Sequence, residues 1–177
     1  MDPSVAEAIR EQIASGQTSI LEWIARDHGV STLDVLRLLP EEQQFIIADP
    51  PVKDILDDLS SWGDLMIIVQ TGSIVAEGVS AVPRASEGRG YFNFGKGAPF
   101  GGHLKQDACR HVAFVERLFS GRPSLSLLFY DDAGESILKV FVRRDENREL
   151  LADQVEKFKQ LKARFVDYAN VYGASRP

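Results

Sequence analysis

The chain has 177 residues, 44% of them hydrophobic, which suits one good core with a small helical appendage beside it. A net charge of −6 and a pI near 5.1 argue against a nucleic-acid or anionic-membrane partner, because the long-range field repels phosphate. The single cysteine, Cys109, cannot form an internal disulfide; the start Met1-Asp2-Pro3 lacks a basic secretory n-region, and no apolar run reaches the ~18 residues of a membrane span, so a cytoplasmic protein is expected.

The first forty residues read as helices. Val5, Ala8, Ile9 and Ile13 fall at helical spacing until Gly16 stops the pattern. Thr18 or Ser19 is placed to cap a second helix with the face Ile20, Leu21, Ile24 and Ala25, ended by His28-Gly29. Ser31 caps a third, with Asp34 three residues on and Leu33, Leu36 and Leu39 on its face before Pro40. Residues 41–64 read as a transition, broken by Pro50-Pro51 and holding a short amphipathic helix over residues 52–59.

Beyond Trp62-Gly63 the period changes from 3.6 to 2. LMIIVQ (residues 65–70) is a continuous apolar strand, and residues 73–82 alternate imperfectly after the turn at Thr71-Gly72. Residues 90–94 form another strand, with Tyr91 and Asn93 on one face and Phe92 and Phe94 on the other. Residues 111–119 alternate cleanly. Residues 125–130 and 136–142 are strands joined by the hairpin turn Asp131-Asp132-Ala133-Gly134. A helix over about residues 149–168 closes the chain, with Leu151, Val155, Phe158, Leu161, Phe165 and Tyr168 on one stripe and a frayed tail after it. Helices, then at least six strands, then a helix predict an α+β fold with an antiparallel sheet. A single domain over 1–177 is expected, with an N-terminal helical segment over 1–40, the sheet over 65–142 and the C-terminal helix over 149–168.

Little in the chain points to conventional catalysis. His28, His103 and His111 stand in no HxxxH spacing, no G-x-S-x-G elbow exists, and the glycines near residues 88–97 do not stand between a strand and a helix. Helix, glycine turn, helix is also the pattern of a DNA reader, but the would-be recognition helix carries Arg37 against Asp34, Glu41 and Glu42, the wrong charge for phosphate.

GYFNFGKGAPFGGHLK (residues 90–105) is more informative. Tyr91 offers a phenolate oxygen and His103 an imidazole nitrogen, both used as haem-iron ligands. Phe92, Phe94 and Phe100 could supply apolar walls, and Arg84, Arg89, Lys96, Lys105 and Arg110 are cations for two propionates. A free tyrosine titrates near ~10, so phenolate ligation at neutral pH needs the ferric ion itself, helped by a cation such as Arg89.

Those pieces, followed by GGHLKQDACRHVAFVERLFSGRPSLSLLFYDDAGESILKVFVRRDENRELLADQVEKF, closely resemble the HutX/ChuX family of bacterial intracellular haem-utilisation carriers. The matching features are the GYFN segment, the GHLK turn, the AFVER strand, the FSG turn, the DDAG hairpin, the KVFV strand, the R-D-x-x-R corner and the D-Q-V-x-x-F helix. The likeness implies a HemS/ChuX-like antiparallel sheet with flanking helices and a homodimer. It also implies a non-enzymatic role: holding haem (haem b) in the cytoplasm and passing it to a haem-degrading enzyme. By position, the tyrosine ligand falls on Tyr91 and the pocket histidine on His103; the residues themselves add Phe92, Arg89 and Lys105 as expected haem contacts. Alternatives are a haem-degrading enzyme and a haem-responsive regulator. Two departures stand out: Gln70, in a strand where some family members carry a histidine, and Arg143 in place of a glycine before the R-D corner.

Overall fold

The computed structural model describes residues 1–16, 20–95 and 99–172, with side chains through residue 167. Thr18, Ser19, Lys96 and the tail after residue 172 lie outside that description.

Three helices come first: α1 (Pro3–Ser15), α2 (Leu21–His28) and α3 (Thr32–Leu36). Gly16 and Gly29 end the first two in the left-handed conformation (φ +66° and +64°), which glycine adopts without a Cβ penalty. The Ser31 Oγ accepts from the Asp34 N–H at 3.1 Å, so the expected cap forms. Strand β1 (Gln44–Ala48) and helix α4 (Val52–Leu59) follow, then β2 (Asp64–Gln70), β3 (Val75–Ala81), β4 (Ala85–Gly88), β5 (Tyr91–Phe94) and β6 (Gly102–Lys105). Strands β7 (His111–Phe119), β8 (Arg122–Tyr130) and β9 (Ser136–Phe141) lead into α5 (Ala152–Tyr172).

A six-stranded antiparallel sheet, ordered β1-β7-β8-β9-β2-β3, and a three-stranded sheet, β4-β5-β6, make up the α+β architecture. The large sheet is covered on both faces, so both alternating sets of side chains in β7 and β8 are buried over residues 112–115 and 125–130. Val112, Phe114, Leu127 and Phe129 pack with Ile55 and Leu59 of α4, Phe158 and Leu161 of α5, and Phe92 of the small sheet. Ala113, Val115, Leu128 and Tyr130, one residue out of phase, pack beneath Ile9, Leu21, Ile24, Leu33 and Leu36.

Three strands go beyond the expected set. β1 lies in the stretch read as a transition and extends the sheet beyond residues 65–142 by pairing with β7, Ile46 opposite Ala113. β4 and β6 are four-residue polar strands recognisable only through their pairing with β5. The last helix begins at Ala152 instead of near 149, because Asp145 Oδ1 accepts from the N–H groups of Asn147 and Glu149 and holds a tight turn before it.

The N-terminal helices dock on the β8–β9 turn. The Leu33 N–H donates to Gly134 O at 2.9 Å, and Thr32 Oγ1 donates to Glu135 Oε2 at 3.0 Å. A Cβ on Gly134 would sit 2.7 Å from Ser31 Oγ, so glycine is required there by contact as well as by its φ of +76°. Thr32, Leu33, Val35 and Leu36 are all buried, so α3 presents no free face for a DNA groove.

At the start of β7, His111 Nε2 lies 3.5 Å from Arg37 Nη2 of α3, while its buried Nδ1 has no partner. Burial, and then the Arg37 charge, push its pKa below the ordinary histidine value; Asp49 opposes and Arg110 adds to the shift. The unfolded chain therefore binds more protons than the native one as pH falls through about 6.5, and stability is lost in that direction. Urea midpoints should fall between pH 7.5 and 5.5, and His111→Gln should flatten some of that slope. An identical slope in the variant would remove His111 as its source.

Candidate functional site

The small sheet is built around one tight turn. Gly88 and Tyr91 are register partners, and Arg89 (φ +55°) and Gly90 (φ +79°) between them are both left-handed, the geometry of a type I′ hairpin. Glycine takes that conformation freely, whereas Arg89 holds it at some strain. β6 then pairs on the other side of β5, with Tyr91 opposite Lys105 and Asn93 opposite His103.

Because side chains alternate, this register sorts the residues onto two faces. Tyr91, Asn93, His103 and Lys105 share the outer face, with Arg89 at its end. Phe92 and Leu104 share the inner face. Tyr91 is half-buried, while Arg89, His103 and Lys105 are exposed. Phe92, expected as a direct haem contact, is buried in the main core, so it supports Tyr91 and His103 from behind instead of lining their surface. Phe94 and Phe100 likewise pack against the core and each other, with centroids 5.3 Å apart.

The two candidate ligands meet directly. The Tyr91 and His103 rings contact edge to face, with centroids 6.0 Å apart and planes at 72°. Both candidate ligands therefore stand side by side on one face of the small sheet.

His103 is held by Asn93, a residue whose face is legible from the sequence but whose role is not. Its Nδ1 lies 2.7 Å from Asn93 Oδ1. The Asn93 amide nitrogen donates to the carbonyls of Ser86, Gly88 and Tyr91 at 3.2–3.3 Å. The alternation of YFNF puts Asn93 beside Tyr91; its contact with His103 arises only from the β5–β6 register.

Other cations are engaged elsewhere: Arg84 pairs with Asp57 at 3.8 Å and Arg110 with Asp49 at 3.1 Å. Among the described residues this leaves Arg89 and Lys105 as the cations at this face. Gln70 lines a separate cleft of about 350 Å³ between α2 and the large sheet, shared with Trp23, Ile68 and Lys139. Arg143 uses its backbone N–H to bond Gln154 Oε1 at 2.8 Å, a contact open to any non-proline residue at that position. Burial raises the Cys109 thiol to about 12, leaving it inert.

The sequence model of the haem-utilisation ChuX/HutX family matches residues 46–161, a span that holds the small sheet and all of the large one but the start of β1. The chain belongs to that family. It is 31% identical over 160 residues to the intracellular heme transport protein HutX of Vibrio cholerae serotype O1 (strain ATCC 39315 / El Tor Inaba N16961), covering 88% of this chain and 83% of the relative. Two structures of ChuX, one described as a heme-binding protein, superpose with TM-scores of 0.82 and 0.79, each at 30% identity. They cover 90% and 89% of this chain and 98% of each ChuX chain. Holo-PhuS, a heme-binding protein from Pseudomonas aeruginosa, shares the fold at TM-score 0.71 and 20% identity, with 86% of this chain spanning 44% of that one.

Proposed function

We propose that this protein is a cytoplasmic haem carrier that binds ferric haem b on the outer face of the small sheet and passes it to a haem-degrading enzyme. The observation that carries the reading is the convergence, on one accessible face, of Tyr91 and His103 in ring contact with Lys105 and Arg89 beside them. A phenolate oxygen suits ferric iron, and the two cations suit propionates. The family membership and the names of HutX and ChuX support the same cargo.

One hard oxygen ligand also suits release, since reduction to ferrous iron weakens the bond. The face is open within one chain, so a flat apolar cargo would keep one side in water. A homodimer supplies the second wall, and a fold in which this chain spans 44% of PhuS is compatible with such doubling.

Haemin titration of purified apoprotein should saturate at one haem per chain. With reductant, oxygen and catalase present, the Soret band should persist. Its steady loss would identify a haem-degrading enzyme instead. Neutralising the propionate cations in Arg89→Gln/Lys105→Gln should weaken binding by roughly tenfold, about 1.4 kcal/mol, with the ferric spectrum unchanged. Shallow, unsaturable binding would overturn the carrier reading.

A further inference from the structure

Arg89 stands where the turn has a better local choice. It is the first of the two residues between β4 and β5, at φ +55°, a conformation that asparagine or glycine takes readily in a type I′ turn and arginine does not. Hydrogen bonds on every side hold it there. The Asn93 amide nitrogen donates to Gly88 O at 3.2 Å and Tyr91 O at 3.3 Å, and the Gln106 N–H donates to Gly90 O at 3.0 Å. Asp49 is also left-handed, but its side chain is paired with Arg110 at 3.1 Å. Arg89 is exposed, and among the described residues its guanidinium has no ion pair or hydrogen bond. Strain kept at a residue whose side chain the fold does not use is a mark of function.

We infer that Arg89 is the specificity-determining residue of the small-sheet face, selecting cargo that carries a carboxylate. The inference rests on that face being the haem site. The turn closes the end of the face that bears Tyr91, His103 and Lys105. A guanidinium presents a planar fork that meets a carboxylate with two parallel N–H···O bonds, whereas the Lys105 ammonium is a point charge that attracts any anion. Arg89 therefore supplies the geometry and Lys105 the field.

The neighbours of Arg89 leave the fork available. Gly88 and Gly90 flank it without side chains to crowd it. Glu87, the adjacent carboxylate, accepts from Gln106 Nε2 at 2.9 Å instead of pairing with the arginine. The three hydrogen bonds around the turn fix the root of the side chain, so less freedom is lost when a carboxylate arrives.

The test compares two cargoes that share iron and ring. Haemin carries two carboxylates, and its dimethyl ester carries none. In mild detergent, wild-type protein should bind haemin about tenfold tighter than the ester. Arg89→Asn should weaken haemin binding roughly fivefold and leave ester binding unchanged, so the preference shrinks to about twofold. Iron-free protoporphyrin should show the same loss, since the contact is to the carboxylate and not to the metal. Arg89→Lys should still lack most of the preference, because charge without the fork does not restore it. The apoprotein Tm of Arg89→Asn should rise by about 2 °C as the turn relaxes. Equal weakening of haemin and ester, an unchanged haemin affinity, full recovery in Arg89→Lys or a lowered Tm in Arg89→Asn each overturns the inference while leaving the carrier reading intact. Wild-type protein that saturates with neither haemin nor its ester overturns the carrier reading and the inference with it.

Discussion

Gln154→Leu should destabilise the fold by about 3–5 kcal/mol, the largest stability effect expected from a single side chain outside the apolar core. Gln154 is 2% exposed at the start of α5. Its Oε1 accepts from the Arg143 N–H at 2.8 Å, and its Nε2 donates to Trp62 O at 3.1 Å and Asp64 O at 2.7 Å. One amide thus ties the last helix to the segment after β9 and to the entry of β2. Leucine matches the volume and adds apolar surface, so packing alone does not oppose it. It leaves one backbone donor and two carbonyls without partners, each costing ~1–3 kcal/mol, with entering water lowering the total. Gln154→Glu separates polarity from shape: the carboxylate keeps an acceptor for Arg143 but turns its other oxygen toward two carbonyls. It should be at least as damaging at pH 7.5 and recover partly on acidification, when protonation supplies a donor. Urea unfolding with an unchanged m-value measures both. A leucine penalty below about 1 kcal/mol would show that water replaces the clamp.

Much of the frame could be read from local chemistry. The glycines at 16 and 29, the Ser31 cap and the apolar stripe of α5 each act over a few residues, and they produce the expected elements in the structure. β7 and β8 are long enough for their period to outweigh noise, and the β8–β9 turn carries Gly134 at a position only glycine fits. β1, β4 and β6 have no such signature. Ala85–Gly88 and Gly102–Lys105 are four residues each, mostly polar, and become strands only because β5 pairs with them. The site suffers most from this, since it is made from those strands. Tyr91 and His103 were recognisable as ligand types, and the Tyr91/Phe92 alternation was visible. Burial of Phe92 behind the site, the ring contact, and the role of Asn93 all depend on a register that the residues between β5 and β6 do not encode locally.

Tyr91→Phe should lower ferric haem affinity by roughly 100-fold, about 2.7 kcal/mol, and abolish the phenolate-to-iron charge-transfer band. The change removes one oxygen and leaves the ring, its contact with His103 and its place in β5 intact. Tyr91 is only half-buried, so folding stability should move by no more than about 0.5 kcal/mol. Porphyrin contacts and the two cations remain, which is why binding should weaken without disappearing. The contrast with His103→Ala carries the assignment. If Tyr91 ligates, that second variant keeps the charge-transfer band. If His103 ligates instead, the pattern reverses: Tyr91→Phe keeps the wild-type ferric spectrum and His103→Ala loses it. Loss of the ferric spectrum in both variants would mean that both residues hold the iron, from one chain or from two subunits. Titrating an equimolar mixture of the two variants separates those outcomes. After co-refolding, restored binding at about a quarter of the sites, one intact site in each mixed dimer, would mean that each site draws one ligand from each subunit; no restoration would place both residues at a single-chain site.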